Sequence, residues 1–241
     1  MALSPQLQRY GCLHFSCVLY ISWLSLRLNS NEYSTLLMNP ESFRSALVDY
    51  IRVQAQPVEK FSHQPRLYAL TQEVGAGRSY DDDVVFAAVW LHDLGVFVGH
   101  RPENPAALAA WDCVAYAMTR TPEVLQRLGF PAEKISAVVE VIRTHQPQEK
   151  PATIEGVIVR DADILEQLGA TGILRMVCKI GRDTRFQTFP DALRVLQQNA
   201  DTLPDQLALP KSRQLAEPRL QALRNFLAAA QAERGAQEYA P

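Results

Sequence analysis

Net positive charge is missing from this 241-residue sequence: 24 lysines and arginines against 26 aspartates and glutamates leave a formal charge of −2 and a pI near 6.2. It therefore lacks the basic field that general binding to a nucleic-acid polymer needs. Cysteine is sparse as well. Cys12, Cys17, Cys113 and Cys178 have neither metal-ligand spacing nor the density of a disulfide scaffold, so a reducing, cytoplasmic setting is expected. Strand signals are absent too, with no hairpin turn between alternating runs and no repeat of fixed length. Nor is there an apolar run of membrane length: CLHFSCVLYISWLSLRL, from Cys12 to Leu28, falls short of the ~20 residues a span requires and contains His14 and Arg27.

That run belongs to a leader, residues 1–37, unlike the rest of the chain. As a signal-peptide core it has only Arg9 for preceding positive charge, and no small-x-small cleavage site follows in NSNEYS. Translation beginning at Met38 is the favoured reading, because Asn39-Pro40 makes a good helix entry, Asn39 as cap and Pro40 at the first helical position.

From Met38 onward helix entries recur, and the fold class expected is all-α. With 47% hydrophobic and 21% charged residues, one principal domain over residues 38–241 is the default. Phe43, Ala46, Leu47, Tyr50 and Ile51 fall at helical spacing in Glu41 to Ala55, and Leu67, Leu70 and Val74 do so in Ser62 to Val74. Asn104-Pro105 predicts a helix through Met118, and Thr121-Pro122-Glu123 a separate short one ended by Gly129. Pro131 to His145 follows, then an apolar run from Ile154 to Ile180 broken at Gly169 and Gly172. Pro190 to Leu196 and Pro218 to Ala230 close the set; Leu220, Leu223, Phe226 and Leu227 of the last can pack on the core or on a partner.

The chain is organised around Asp81 to Phe97, DDDVVFAAVWLHDLGVF. As one helix it opens with three aspartates at the positive end of its dipole, and Val84 to Leu91 then cover every face with apolar groups, the pattern of a buried helix. His92 and Asp93 sit inside it, and burying such a pair is costly unless each finds a partner. A divalent cation would satisfy both. The plainer alternative, which this stretch alone favours, is a neutral histidine hydrogen-bonded to its surroundings with Asp93 on a neighbouring backbone or arginine.

Other residues can converge on the pair. His63, His100 and His145 lie near helix ends or in loops, and the aspartates of Arg160-Asp161-Ala162-Asp163 interrupt an apolar segment. Two residues apart on a helix is about 200°, so Asp161 and Asp163 do not face one pocket, and one of them is expected to cap or to pair with Arg160. Periodicity does not say which.

His63 in SHQPR, His92-Asp93 in WLHDLG and Ala162-Asp163 in RDADILEQLGA, in that order in an all-helical chain, resemble the HD-domain metal-dependent phosphohydrolase superfamily over roughly residues 41–182. Position by position, the resemblance implies that His63, His92, Asp93 and Asp163 hold one divalent metal ion, with Asp161 the alternative to Asp163. It implies a metal core over about 41–182 with C-terminal helices over 183–241. Two imidazoles and two carboxylates suit Mn, Fe, Zn, Co or Mg. Binuclear members use two further histidines; the positions here hold Asp112 and His145, which a second metal would need. Plainer roles are an Asp112 carboxylate on a helix surface and a His145 ring on a helix dipole.

The function this implies is a metal-dependent phosphohydrolase acting on a nucleotide or another small phosphorylated metabolite, with no nucleic-acid polymer or membrane as partner. Asp93, His100 and His145 are its candidate catalytic residues, His100 as a general acid in the loop GHRPEN. Arg66, one turn after His63, has the planar fork that suits phosphate oxygens. Gln167, Lys179 and Arg182 are further candidate substrate contacts, Lys179 and Arg182 forming a basic cluster with Arg185 in CKIGRDTRF, and Glu166 with Gln167 would project near the pocket. For the cations the plainer reading is a solvated, ion-paired face. Two rivals are a di-iron oxygenase on the same scaffold, disfavoured by Asp112 at a histidine position, and a non-catalytic regulatory protein with a structural metal, disfavoured by the intact quartet.

Overall fold

The computed structural model describes residues 40–181 and 187–234. The apolar leader with Met38, and Arg182 and Arg185 of the basic cluster, lie outside the described residues.

Ten α-helices make up the described residues: α1 Pro40–Gln54, α2 His63–Val74, α3 Asp82–Leu91, α4 Pro105–Ala109, α5 Cys113–Arg127, α6 Ile135–Arg143, α7 Ile154–Glu166, α8 Gly169–Val177, α9 Phe189–Thr202 and α10 Pro210–Arg234. The only β-type pairing among them is the isolated bridge Val98 to Arg101. The all-α expectation holds, and no helix of the described residues is long and apolar enough to cross a membrane.

Helix α3 is the axis. Asp81 caps it, its carboxylate accepting from the N–H groups of Asp83 and Val84, and every residue from Val84 to Leu91 is buried. Each large apolar side chain so buried contributes roughly 1.5–3 kcal/mol. The buried faces of α1, α2, α6 and α7 supply the surrounding layer, and α8, α9 and α10 form a second group joined to the first through α7. Leu223 and Leu227 of α10 are buried in the common core, with Leu220 and Phe226 packed against it, so that face serves this chain's own core.

Several boundaries differ from the sequence reading. The helix opening at Asp82 does not run to Phe97. It stops at Leu91, Asp93 leaves helical geometry (φ −93°, ψ 10°), and Leu94–Val96 form a single 3₁₀ turn. Residues 104–118 are two helices, because Asp112 starts a new one by capping α5. Pro122 does not start a helix but lies inside α5. Ala117, Thr121, Val124 and Leu125 form one buried stripe across it against α6, and that packing outweighs the single lost N–H. Pro218 is likewise interior to α10, which begins at Pro210, and α9 extends to Thr202.

Of the two glycines expected to break the run after Ile154, only Gly169 does. Its φ of 69° is left-handed and turns the chain from α7 into α8. Gly172 stays helical, and a Cβ there would meet the Gln167 carbonyl oxygen at 2.2 Å, so it permits close approach.

Candidate metal centre

Three helix ends and one helix face meet beside α3. His63 is the first residue of α2, His92 follows the last residue of α3, His145 follows α6, and Asp163 and Glu166 lie one turn apart on α7. The early end of α3 lets adjacent residues serve one site: in a continued helix His92 and Asp93 would diverge by about 100°. Here Asp93 Oδ1 lies 3.6 Å from His92 Nε2, and Asp93 Oδ2 3.8 Å from His63 Nε2. Asp163 Oδ1 is 3.7 Å from His63 Nε2. Ligand atoms of His63, His92 and Asp163 all lie within 4.8 Å of one another, the one such cluster of three among the described residues.

Hydrogen bonding fixes which ring nitrogens face inward. The Nδ1 of His92 lies 2.9 Å from the Val89 carbonyl oxygen and that of His145 lies 2.6 Å from the Ile142 carbonyl oxygen. A carbonyl only accepts, so each Nδ1 carries the proton and Nε2 of the neutral ring is a lone-pair donor to a metal. His63 Nδ1 donates to Glu166 Oε2 at 3.2 Å, with the same result. The Nε2 atoms of His63 and His92 nevertheless stand 3.3 Å apart, and the His145 ring packs edge-on against His92 with centroids 5.0 Å apart. Lone pairs and the Asp163 carboxylate thus converge, with Asp93 beside the histidines but outside that mutual cluster and Gln167 Nε2 donating to Asp163 Oδ2 at 3.3 Å. A divalent cation suits such a set, as does the backbone and carboxylate support behind each ring.

Charge shifts follow the same geometry. Burial pushes His63 and His145 below the ordinary histidine value, which keeps them neutral. Burial alone would raise the Asp93 carboxyl, but the positive charge that His92 and His63 carry when protonated, with the Arg175 guanidinium, outweighs it and holds it well below the usual range. Burial also opposes ionisation of Glu166; the His63 N–H and Arg66, aided by Arg175, hold its carboxyl at about 2. One side of the cluster is open: the side chains of Asp93 and Asp163 are 27% and 14% exposed, against 8% and 2% for His63 and His92.

The other candidates fall in different places. Asp161, fully buried, turns away from the cluster and accepts from the N–H groups of Ala208 and Leu209 at 2.8–3.1 Å, so it secures the approach to α10. Its separation from Arg160 is 3.9 Å, and the Arg160 guanidinium instead bonds the carbonyls of Pro147 and Gln206. Asp112 is an exposed cap on the Ala115 N–H at 2.9 Å, and no metal-ligand cluster of three among the described residues includes it. His100 is held at both ring nitrogens, by Tyr116 Oη at 2.9 Å and Gln54 Oε1 at 2.7 Å, and burial with Arg120 lowers its pKa. Lys179 is half-buried just past α8.

Arg66 pairs with Glu166, Nε to Oε1 at 3.2 Å. The sequence reading missed Arg175, whose Nη1 meets Glu166 Oε2 at 3.0 Å. Its signal was present: Arg175 is the one charged residue of GATGILRMV.

No family model matches this sequence, and no curated protein matches it. Solved structures do. An HD-superfamily hydrolase from Bacillus thuringiensis superposes with a TM-score of 0.59 at 21% identity, over 82% of this chain and 98% of that one. YpgQ from Bacillus subtilis in complex with ADP gives 0.58 at 20% identity over 80% and 98%. A predicted HD superfamily hydrolase from an uncultured Thermotogales bacterium gives 0.54 at 20% identity over 86% and 100%. Together with the all-helical architecture, these superpositions identify the fold: the chain has the fold of the HD-domain superfamily.

Proposed function

We propose that this chain is a metal-dependent phosphohydrolase acting on a nucleotide or another small phosphorylated metabolite, with His63, His92, Asp93 and Asp163 as the residues that hold the metal. One observation carries the reading: imidazole lone pairs and carboxylates meet at one partly open point, His63 Nε2 and His92 Nε2 3.3 Å apart with Asp93 and Asp163 3.6–3.8 Å away. The hydrolases that share the fold, and the ADP held by one relative, support a phosphorylated substrate. The donors suit Mn, Fe, Zn, Co or Mg. A divalent ion held there supplies charge neutralisation at a phosphoryl group and acidifies water.

The chain's own residues do the rest. Glu166 and the Val89 carbonyl orient His63 and His92 through their Nδ1 protons. Arg66, 41% exposed beside Glu166, presents a fork to a phosphate oxygen. Gln167 steadies the Asp163 carboxylate, and His145 keeps an unprotonated Nε2 beside His92 that can take a proton from water. Asp112 is occupied as a helix cap, which leaves a di-iron oxygenase without its sixth ligand. The lack of a disulfide signature and the exposed Cys178 thiol support a cytoplasmic setting.

The test is phosphate release from a panel of nucleotides and sugar phosphates by the full chain after exhaustive chelation and return of Mn or Co. Activity that needs the added metal, and vanishes in Asp93→Ala, is expected. A flat panel, or full activity in Asp93→Ala, refutes the reading.

A further inference from the structure

We propose that Arg175 is a second substrate-binding cation, held beside Arg66 by the Glu166 carboxylate that both of them bond, and that the two guanidiniums together take a di- or polyphosphate group. The inference rests on the phosphohydrolase reading and extends it to a residue outside the quartet and its Arg66 neighbour.

Glu166 is the pivot. Its side chain is 6% exposed, and it accepts from His63 Nδ1, from Arg66 Nε and Nη2, and from Arg175 Nη1 at 3.0–3.4 Å. One carboxylate between two guanidiniums leaves one positive charge over. The two carboxylates of Asp93 and Asp163 do not absorb it, since they match a divalent cation held between them. Arg175 is 26% exposed and Arg66 41%, so the surplus lies at the solvent edge of the site and is not sealed in the core. Its position beside the quartet follows from its bond to the Glu166 oxygen that also accepts from His63 Nδ1.

Local structure puts it there. Glu166 ends α7, Gly169 reverses the chain with its left-handed φ, and Gly172 lets α8 lie against the Gln167 carbonyl, so Arg175 returns to a carboxylate nine residues behind it. A guanidinium has five N–H donors, and the bond to Glu166 uses one of those on Arg175. A purely structural partner for Glu166 is not needed, because His63 and Arg66 already engage both of its oxygens. Two guanidiniums side by side on one carboxylate at the edge of a metal site can grip a chain of phosphates at more than one oxygen.

The experiment is calorimetric titration of the full chain, first with Mn²⁺ and then, metal-loaded, with inorganic pyrophosphate, for wild type, Arg175→Gln and Arg175→Lys. Arg175→Gln should bind Mn²⁺ as wild type does and pyrophosphate roughly 10- to 100-fold more weakly, the span of one charge-assisted contact. Arg175→Lys should recover part of the loss, since charge is kept and the fork is not. Unchanged pyrophosphate affinity in Arg175→Gln overturns the assignment while leaving the metal reading intact. So does a parallel loss of Mn²⁺ and pyrophosphate, which would mark Arg175 as a support for Glu166 and His63. Wild type that takes Mn²⁺ but no pyrophosphate also overturns it, and wild type that takes no metal overturns the phosphohydrolase reading as well.

Discussion

The Nε2 atoms of His63 and His92 face each other at 3.3 Å with the protons of both neutral rings on the far side, against Glu166 and the Val89 carbonyl. Two lone pairs at that separation repel, and Asp93 and Asp163 add negative charge to the same point. A divalent cation held between them would relieve that repulsion.

Metal should therefore stabilise the chain measurably. At 100 times its dissociation constant a ligand confined to the native state contributes about 2.7 kcal/mol, which for a chain of this size is a rise in Tm of several degrees. Scanning fluorimetry with and without Mn²⁺ should show that rise, and chelation should reverse it. His63→Ala and Asp163→Ala should both abolish it. A metal-induced shift that survives in either variant would place the ion elsewhere.

The two aspartates of RDAD separate in the same assay. Asp161 is the acceptor for two backbone N–H groups ahead of α10, and removing it leaves the buried Leu209 N–H unpaired at about 1–3 kcal/mol. Asp161→Ala should lower Tm and the urea midpoint while preserving the metal-induced rise. Asp163→Ala should do the reverse, keeping stability and losing the metal response. An Asp161→Ala protein that remains as stable as wild type but ignores metal would exchange their roles.

This pair also shows where sequence reading stops. That His92 is buried followed from the apolar residues around it, although Asp93 beside it keeps 27% of its side chain exposed, and the proposed quartet came from a resemblance in motif order. Which carboxylate of RDAD turns inward did not, because it depends on Ala208 and Leu209, 47 and 48 residues later. The end of α3 at Leu91 was not legible either: Gly95 in WLHDLG signals a stop, but not one as early as Leu91, and the turn there is held by contacts such as the Trp111 indole on the Gly95 carbonyl at 2.8 Å. Glu166 was within reach as the residue one turn beyond Asp163. Arg175 stood out as the one charged residue of its helix, but its partner did not, since its approach to Glu166 requires the reversal at Gly169 to be known in three dimensions.

Acidification should act through the buried imidazoles. Burial lowers the pKa of His63 and of His145 in the native chain below the ordinary 6.5. The unfolded chain then binds the proton first, so the stability these neutral rings contribute is present above about pH 6.5 and drains away as pH falls toward their native values. Urea unfolding of the metal-free chain should give a free energy that drops between about pH 7 and pH 5.5, a range above the carboxylate titrations. His145→Gln, which can still donate to the Ile142 carbonyl, should flatten part of that slope. An identical slope in the variant would remove His145 from the account.

A separate acid transition belongs to the entrance of α3. Arg44 on α1 bonds Asp83 Oδ1 at 2.6 Å and Asp82 Oδ2 at 2.9 Å, Tyr68 on α2 donates to the same Asp82 oxygen, and Lys134 reaches Asp81 at 2.8 Å. Burial alone would raise the carboxyls of Asp81 and Asp82, but Lys134 and the cap N–H groups on the first, and Gln72, Tyr68 and Arg44 on the second, hold both below the ordinary 3.8. For depressed carboxylates the unfolded chain again protonates first, so their stabilisation is complete above 3.8 and is lost as pH falls through the lower native values. The side chains are 24–38% exposed, so salt screens the network and the effect is modest at physiological ionic strength. Thermal melts at low salt should show a second fall in Tm below about pH 4, distinct from the histidine step. Arg44→Met should lower Tm at neutral pH and shrink that second fall, because the carboxylates it held down return toward their ordinary values. A variant with the full acid transition intact would show that the network joining α1, α2 and α6 to the tip of α3 adds nothing to stability.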